Sequence, residues 1–233
     1  MDARTAHGDL GRTRVSVFDF DGTVIDGQSG ALFTTYLLRR HMLPTSCVLR
    51  LGCWGARYKL HLPYRQEESR ELVFRAFDGL TAPEVDAIMT SFHEEVLVPR
   101  YRPRAVAEFD RRNAEGDVTL LVSATFEPIA RAAAGRLGAD GSVATPMELG
   151  PDGSYTGRVG GSVIAGAEKY RAAAAWCDEH LGRGRWELSS AYADHHSDED
   201  RLARAAHPFA VCPGSTLRPI ARRNGWPILD WND

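Results

Sequence analysis

Short apolar runs recur along the chain, and most end at residues that favour turns. Arg14–Phe20 carries Val-Ser-Val-Phe and leads straight into Asp-Phe-Asp-Gly-Thr. Val118–Ser123 (VTLLVS), Trp186–Ala193 (WELSSAYA) and Pro208–Cys212 (PFAVC) have the same character. Brief apolar runs closed by turn residues predict buried strands. Between them, Glu127–Leu137, Glu168–Leu181 and Thr216–Arg223 have patterns that predict helices. Strands alternating with helices predict an α/β fold: a Rossmann-like parallel sheet with helices on both faces.

The stretch between the first two strands has a different period. Ala31–Met42, Cys47–Leu60, Gln66–Phe77 and Pro83–Val98 place apolar residues at helical spacing and have few strand formers. Thr81 and Glu84 stand three apart, the pattern of a capping box opening the last of these helices. The chain is therefore expected to divide into a core, residues 1–27 and 101–233, and an inserted α-helical cap, residues 28–100. Gly150–Gly161 is dense in turn residues around Tyr155 and predicts a small β-hairpin.

Composition narrows the class without naming it. The 233 residues are 43% hydrophobic and 25% charged, with a net charge of −3. These are ordinary globular values, and nothing global points to nucleic acid or to an anionic membrane. No apolar run reaches the roughly 18 residues a membrane span needs. Cys47, Cys53, Cys177 and Cys212 are scattered and have no metal-ligand spacing, so they read as reduced, buried thiols of a cytoplasmic protein. Met1 to Arg12 reads as a mobile lead-in.

The candidate chemistry sits where the strands end. In an open parallel sheet, ligands bind outside the carboxyl ends of the strands. Those ends carry Asp19 and Asp21, then Ser123 and Thr125, then Asp194 and Asp198, and Lys169 opens a helix. With Gly22 supplying the turn, Asp19 and Asp21 can face one site. One carboxylate can attack phosphorus while the other protonates the leaving oxygen and later activates water. Anions beside a phosphate call for a divalent cation. Mg²⁺ prefers oxygen ligands, which fits Asp19, a backbone carbonyl and Asp194. Lys169 would neutralise the remaining charge, and Ser123 would hydrogen-bond a phosphate oxygen beside a helix N-terminus.

Asp19-Phe-Asp-Gly-Thr-Val, Val122-Ser-Ala-Thr, Lys169 and Tyr192-Ala-Asp-His-His-Ser-Asp together resemble the four motifs of the haloacid dehalogenase superfamily. The position of the helical insertion resembles the phosphoserine phosphatase-like branch. The resemblance implies Asp19 as nucleophile and Asp21 as general acid/base, with the Asp21 carbonyl and Asp194 completing a Mg²⁺ site. It implies that Lys169 stabilises an aspartyl phosphate and that Asp198 supports the metal's water shell or orients Lys169. Ser123, Ala124, Thr23, Gln28 and Ser197 would contact the substrate. Asp21 argues against dehalogenation, which needs no acid.

Three departures stand out. Relatives acting on phosphoserine carry Glu nine residues after the nucleophile, where this chain has Gln28, an amide that cannot pair with an ammonium group. His195 and His196 follow Asp194, where a small residue is usual. Glu199-Asp-Arg-Leu stands where relatives show an apolar run with proline, so the packing of that helix is in question.

From Gln28 to Leu80 the insertion carries eight Lys/Arg (Arg39, Arg40, Arg50, Arg57, Lys59, Arg65, Arg70, Arg75) against four acids (Glu67, Glu68, Glu71, Asp78). That excess can steer a phosphorylated substrate or be a solvated helix face. Trp54, Tyr58, Tyr64 and Phe74 can pack a substrate or a core. A cap of this size favours a small phosphorylated metabolite over a polymer. The rival readings are phosphoryl transfer to another alcohol, as in a mutase, and a non-catalytic phosphate-binding protein.

Overall fold

The computed structural model describes residues 11–60 and 66–232. The expected lead-in up to residue 10, and Tyr64 and Arg65 of the insertion, lie outside them, as do the side chains of Tyr58 and Lys59.

The core is a six-stranded sheet in the order β3-β2-β1-β6-β7-β8, with every pairing parallel. Its strands are β1 (Thr13–Phe18), β2 (Val118–Phe126), β3 (Gly141–Thr145), β6 (Trp186–Ala193), β7 (His207–Val211) and β8 (Ile228–Leu229). β1 is central, with β2 on one side and β6 on the other. The chain leaves toward one half of the sheet and returns to the other, so a switch point lies at the carboxyl end of β1.

Alternation along the strands separates two apolar faces. Val15, Val17, Leu120 and Val122 pack beneath Ala173 and Cys177 of α7 (Ala167–Leu181). On that same face Ala191, Ala193 and Ala210 meet Leu202 of α8 (Glu199–Arg204) and Leu217 and Ala221 of α9 (Leu217–Arg223). Phe18, Leu121 and Tyr192 point the other way, toward Phe109 of α5 (Pro103–Ala114) and Ile129 and Ala133 of α6 (Glu127–Leu137).

The cap follows β1. It comprises α1 (Ser29–Arg39), α2 (Thr45–Lys59), α3 (Gln66–Phe74) and α4 (Ala82–Phe92). The expected capping box is present, with the Thr81 N–H donating to Glu84 at 2.8 Å. The single long helix expected at Pro83–Val98 instead stops at Phe92 and continues as a π turn (His93–Leu97) and a 3₁₀ turn (Val98–Arg100). The cap is not a separate lobe in its packing. Phe126, at the end of β2, packs tilted against Phe74 (4.5 Å between ring centroids) and edge-on against Phe33 (5.7 Å), joining the cap's aromatic residues to the sheet's core.

The hairpin pairs β4 (Met147–Leu149) with β5 (Tyr155–Val159), so its first strand begins before Gly150. It docks on the cap: Gly79 N–H donates to the Tyr155 carbonyl and Tyr155 N–H to the Leu80 carbonyl, at 3.1 and 2.8 Å.

Other expectations need adjustment. β2 continues three residues past Ser123, and its pairing with β3 shifts register between Val122 and Phe126. A register shift of this kind re-aims side chains where a strand meets a site. β3 and β8 carried no sequence signal, because one is rich in small residues and the other is two residues long. The four cysteines are free, but only Cys47 and Cys177 are buried; Cys53 is exposed, since α2 turns that side to solvent. Among the described residues no helix is long and apolar enough to cross a membrane.

Candidate active site

Asp19 follows directly on the last residue of β1. Its N–H bonds the Tyr192 carbonyl of β6 at 2.9 Å, and its carboxylate Oδ1 accepts from the Phe20 N–H at 2.8 Å. Phe20, Val24 and Ile25 are fully buried and anchor the loop that turns Asp21 back toward the site. Gly22 is obligatory in this turn. Its φ is +73°, and a Cβ there would lie 2.1 Å from Asp194 Oδ2. The missing side chain lets the carboxylate at the end of β6 close on the loop after β1.

Lys169, in the first turn of α7, donates to Asp19 Oδ1 at 2.8 Å and to Asp198 Oδ2 at 3.0 Å. Burial works against its charge, but Asp19 and Asp198 outweigh burial and raise its pKa, so it stays an ammonium. Asp198 is buried too, yet Arg201 and Lys169 pull its pKa below the usual carboxylate value. Burial raises Asp19 against the opposing pull of Lys169. Asp21 is pushed up to about 6, by burial first, with Ser29 opposing and the charge of Asp19 adding. Asp194 is pushed up to about 7 by burial and then by Asp19. Four carboxylates thus share two cations, Lys169 and Arg201.

These groups form the floor of a cavity of about 800 Å³. Asp19, Asp21, Gln28, Ala124, Lys169, Asp194, Ser197 and Asp198 all line it, as does His195. Two expected contacts do not reach its wall. Ser123 is fully buried, with its Oγ accepting from the Thr125 N–H at 3.0 Å. Thr23 is fully buried, with no partner for its hydroxyl among the described residues. His195 uses Nδ1 on Ser197, at 3.0 Å from its Oγ, while His196 turns to Thr216.

Three contributors are not singled out as site residues by the sequence: Ser29 has no signal, Arg70 counts only in the basic excess of the insertion, and Arg201 only in the departure after Asp198. Ser29, at the start of α1, donates its N–H and its hydroxyl to the two oxygens of Asp21, at 2.6 and 3.0 Å. Its hydroxyl also lies 2.7 Å from that of Thr125, so the second motif steadies the serine that holds Asp21. Arg70 of α3 reaches across the cavity to the Ala124 carbonyl, at 3.3 Å from Nη2. Arg201, three residues after Asp198, pairs with its Oδ1 at 3.1 Å. A buried ion pair shows only once the fold is known.

The site suits a hard divalent cation. Among the described residues no three His, Cys, Asp or Glu side chains cluster as a ligand set. Mg²⁺ does not require one: it takes one or two carboxylates and keeps several waters. Asp194 set against the glycine turn beside Asp19, both with raised pKa values, gives an oxygen-only pair short of positive charge.

Comparison with known proteins gives the family and the fold. Residues 16–202 match the haloacid dehalogenase-like hydrolases. The chain is 27% identical to a phosphoserine phosphatase of Mycobacterium tuberculosis, over 94% of this chain and 71% of that one. It is 25% identical to a histidinol-phosphatase of Neisseria meningitidis, over 93% and 98%. A structure from Bordetella pertussis superposes with a TM-score of 0.84 at 27% identity, covering 95% of this chain and all of that one. A substrate-bound phosphoserine phosphatase shares the fold, with a TM-score of 0.60 at 17% identity over 94% and 93%. The chain belongs to the haloacid dehalogenase-like hydrolase family.

Proposed function

We propose that the enzyme hydrolyses a small-molecule phosphate monoester, with the phosphoryl group passing through the carboxylate of Asp19. One observation carries this reading: Asp19, held by Lys169 at 2.8 Å, shares the floor of a single cavity with Asp21 and Asp194. Among the described residues both hydrogen bonds to the Asp19 carboxylate go to Oδ1, which leaves Oδ2 to attack phosphorus. Asp21 is fixed by Ser29 and has a pKa of about 6, so it can give a proton to the departing alcohol and take one from water afterwards. Lys169 offsets the charge that builds on Asp19 and the phosphoryl oxygens. Asp19, Asp194 and the Asp21 carbonyl would hold Mg²⁺, which when bound supplies positive charge between these carboxylates and an anionic substrate. Residues 28–100 would act as the cap over the core.

The cavity is of small-ligand size. Toward the cap its walls are Leu51, Trp54 and Val73, with Thr34, Ser69 and Arg70 as polar groups. Gln28 lies on the wall where an acid would be needed to pair an ammonium group, which disfavours phosphoserine. Relatives named for two different alcohols leave the physiological one open.

The test is phosphate release from a panel of small monoesters, with Mg²⁺ or chelator, by wild type and Asp19→Asn. Release that requires Mg²⁺ and is lost in the variant supports the mechanism. Release only when a second alcohol is supplied would make the enzyme a phosphotransferase. Binding without turnover of any monoester would make it a phosphate-binding protein.

A further inference from the structure

We propose that Arg201 is a positioning residue: it grips one oxygen of Asp198 so that the other holds Lys169 against Asp19. The inference rests on the reading of Asp19 as nucleophile and extends it to a residue outside the cavity.

Arg201 is 1% exposed and is among the largest fully buried side chains of the protein. Nη2 lies 3.1 Å from Asp198 Oδ1 and 3.3 Å from the Tyr192 carbonyl. Among the described residues Nε and Nη1 have no hydrogen-bond partner, and neither has Asp198 Oδ1, so Arg201 holds that oxygen by charge at 3.1 Å rather than by an aligned hydrogen bond. Around it are Val17, Tyr170, Ala173, Cys177 and Leu188, a mostly apolar setting. Removing a guanidinium from water costs several kcal/mol, and a leucine or methionine would fill such a space without that cost. An arginine with two idle nitrogens is a poor packing residue.

What it does have is a place in a chain of alternating charges. Arg201 meets Asp198 Oδ1, Asp198 Oδ2 meets Lys169 at 3.0 Å, and Lys169 meets Asp19 Oδ1 at 2.8 Å. Asp198 has two oxygens and two cations, one each. Without Arg201 the Asp198 carboxylate is free to rotate and to take both oxygens to Lys169, drawing the ammonium away from Asp19. With Arg201 in place, Lys169 stays shared and stays aimed. The residue therefore acts on the reacting carboxylate through two intermediaries and touches no substrate.

The test compares wild type, Arg201→Met and Arg201→Lys with p-nitrophenyl phosphate and Mg²⁺. The methionine variant should lose roughly 10- to 100-fold in kcat, the range for groups that orient a catalytic shell, with KM within about twofold. The lysine variant, which restores a cation, should recover part of that loss. A second arm needs no turnover: the ¹⁵N resonance of the Lys169 ammonium should shift or broaden in Arg201→Met and move back in Arg201→Lys. An unchanged kcat, a KM effect alone, or an unchanged Lys169 resonance overturns the proposal. If Arg201→Met does not fold, Arg201→Gln takes its place under the same criteria. If the wild type cleaves no phosphate ester, the hydrolase reading fails, and the resonance alone decides whether Arg201 positions Lys169.

Discussion

Among the described residues two ion networks stand apart, one partly exposed and one buried, and they differ in how their charges balance. One surrounds α5 beside the amino ends of β1 and β2. There Glu108, Glu115 and Asp117 face Arg14, Arg111 and Arg112, three against three. Arg112 also donates to the Tyr192 hydroxyl at 2.8 Å, and Ser16 to Asp117 at 2.7 Å. Burial would raise Glu108, but hydrogen bonds from Arg111 and Tyr192 hold its pKa below normal. The other network lies at the carboxyl ends, where Asp19, Asp21, Asp194 and Asp198 gather around Lys169 and Arg201, whose ion pairs go to Asp19 and Asp198. Three of those four carboxylates have raised pKa values, and all four border the cavity. Charges that close on one another stabilise a fold. An excess of one sign around an opening is the mark of a site awaiting an ion and a ligand.

The sharpest way to break this contrast is to remove one charge at each end. Asp19→Asn should lower turnover by roughly 1,000-fold or more, as loss of a nucleophile does. Its Tm should stay level or rise, because one of four crowded anions is gone. A clear fall in Tm would mean the site is as balanced as the α5 network. Gly22→Ala comes next, with a loss of about 100-fold in activity and a weakened response to Mg²⁺, because the added methyl would displace Asp194. Full activity in that variant would show that the close approach is not used.

Asp117→Ala should do the reverse of Asp19→Asn. Removing this buried carboxylate leaves the fully buried Ser16 hydroxyl without its acceptor and takes one of three acids from Arg112, which should cost about 1–3 kcal/mol by denaturant titration. The kcat of the folded protein should hardly change; a large fall would mean that the two networks are coupled.

The smallest expected effect is on pH dependence. Asp194 has a folded pKa of about 7 against an ordinary 3.8, so the folded state binds its proton more tightly than the unfolded state. Stability of the metal-free protein should therefore decline as pH rises from about 4 through about 7. Mg²⁺ competes with that proton, so the Tm gained on adding Mg²⁺ should grow from pH 5.5 to pH 8. A gain independent of pH would place the ion elsewhere.

Much of this was legible in the chain before folding. Asp19, Asp21, Lys169, Asp194 and Asp198 could be found because each follows a strand end or opens a helix, where side chains in a parallel sheet converge. Ser123 was legible as part of a motif, but its burial against Thr125 was not. Ser29 and Thr125 stand 96 residues apart in sequence, and nothing local marks them as neighbours. Arg201 looked like a misfit in a helix expected to be apolar, and its meaning came only from the carboxylate three residues before it.

The sequence by itself determined the alternation of strand and helix, the helical insertion, and the order in which reactive residues reach the sheet's edge. Those follow from period, turn residues and caps, which act over a few residues. Only the tertiary structure decided which carboxylate meets which cation, that the hairpin docks on the cap, that Gly22 must yield to Asp194, and that an arginine is buried behind the site. Such pairings depend on register and packing between segments far apart in the chain, where a shift of one residue or of an ångström changes the partner.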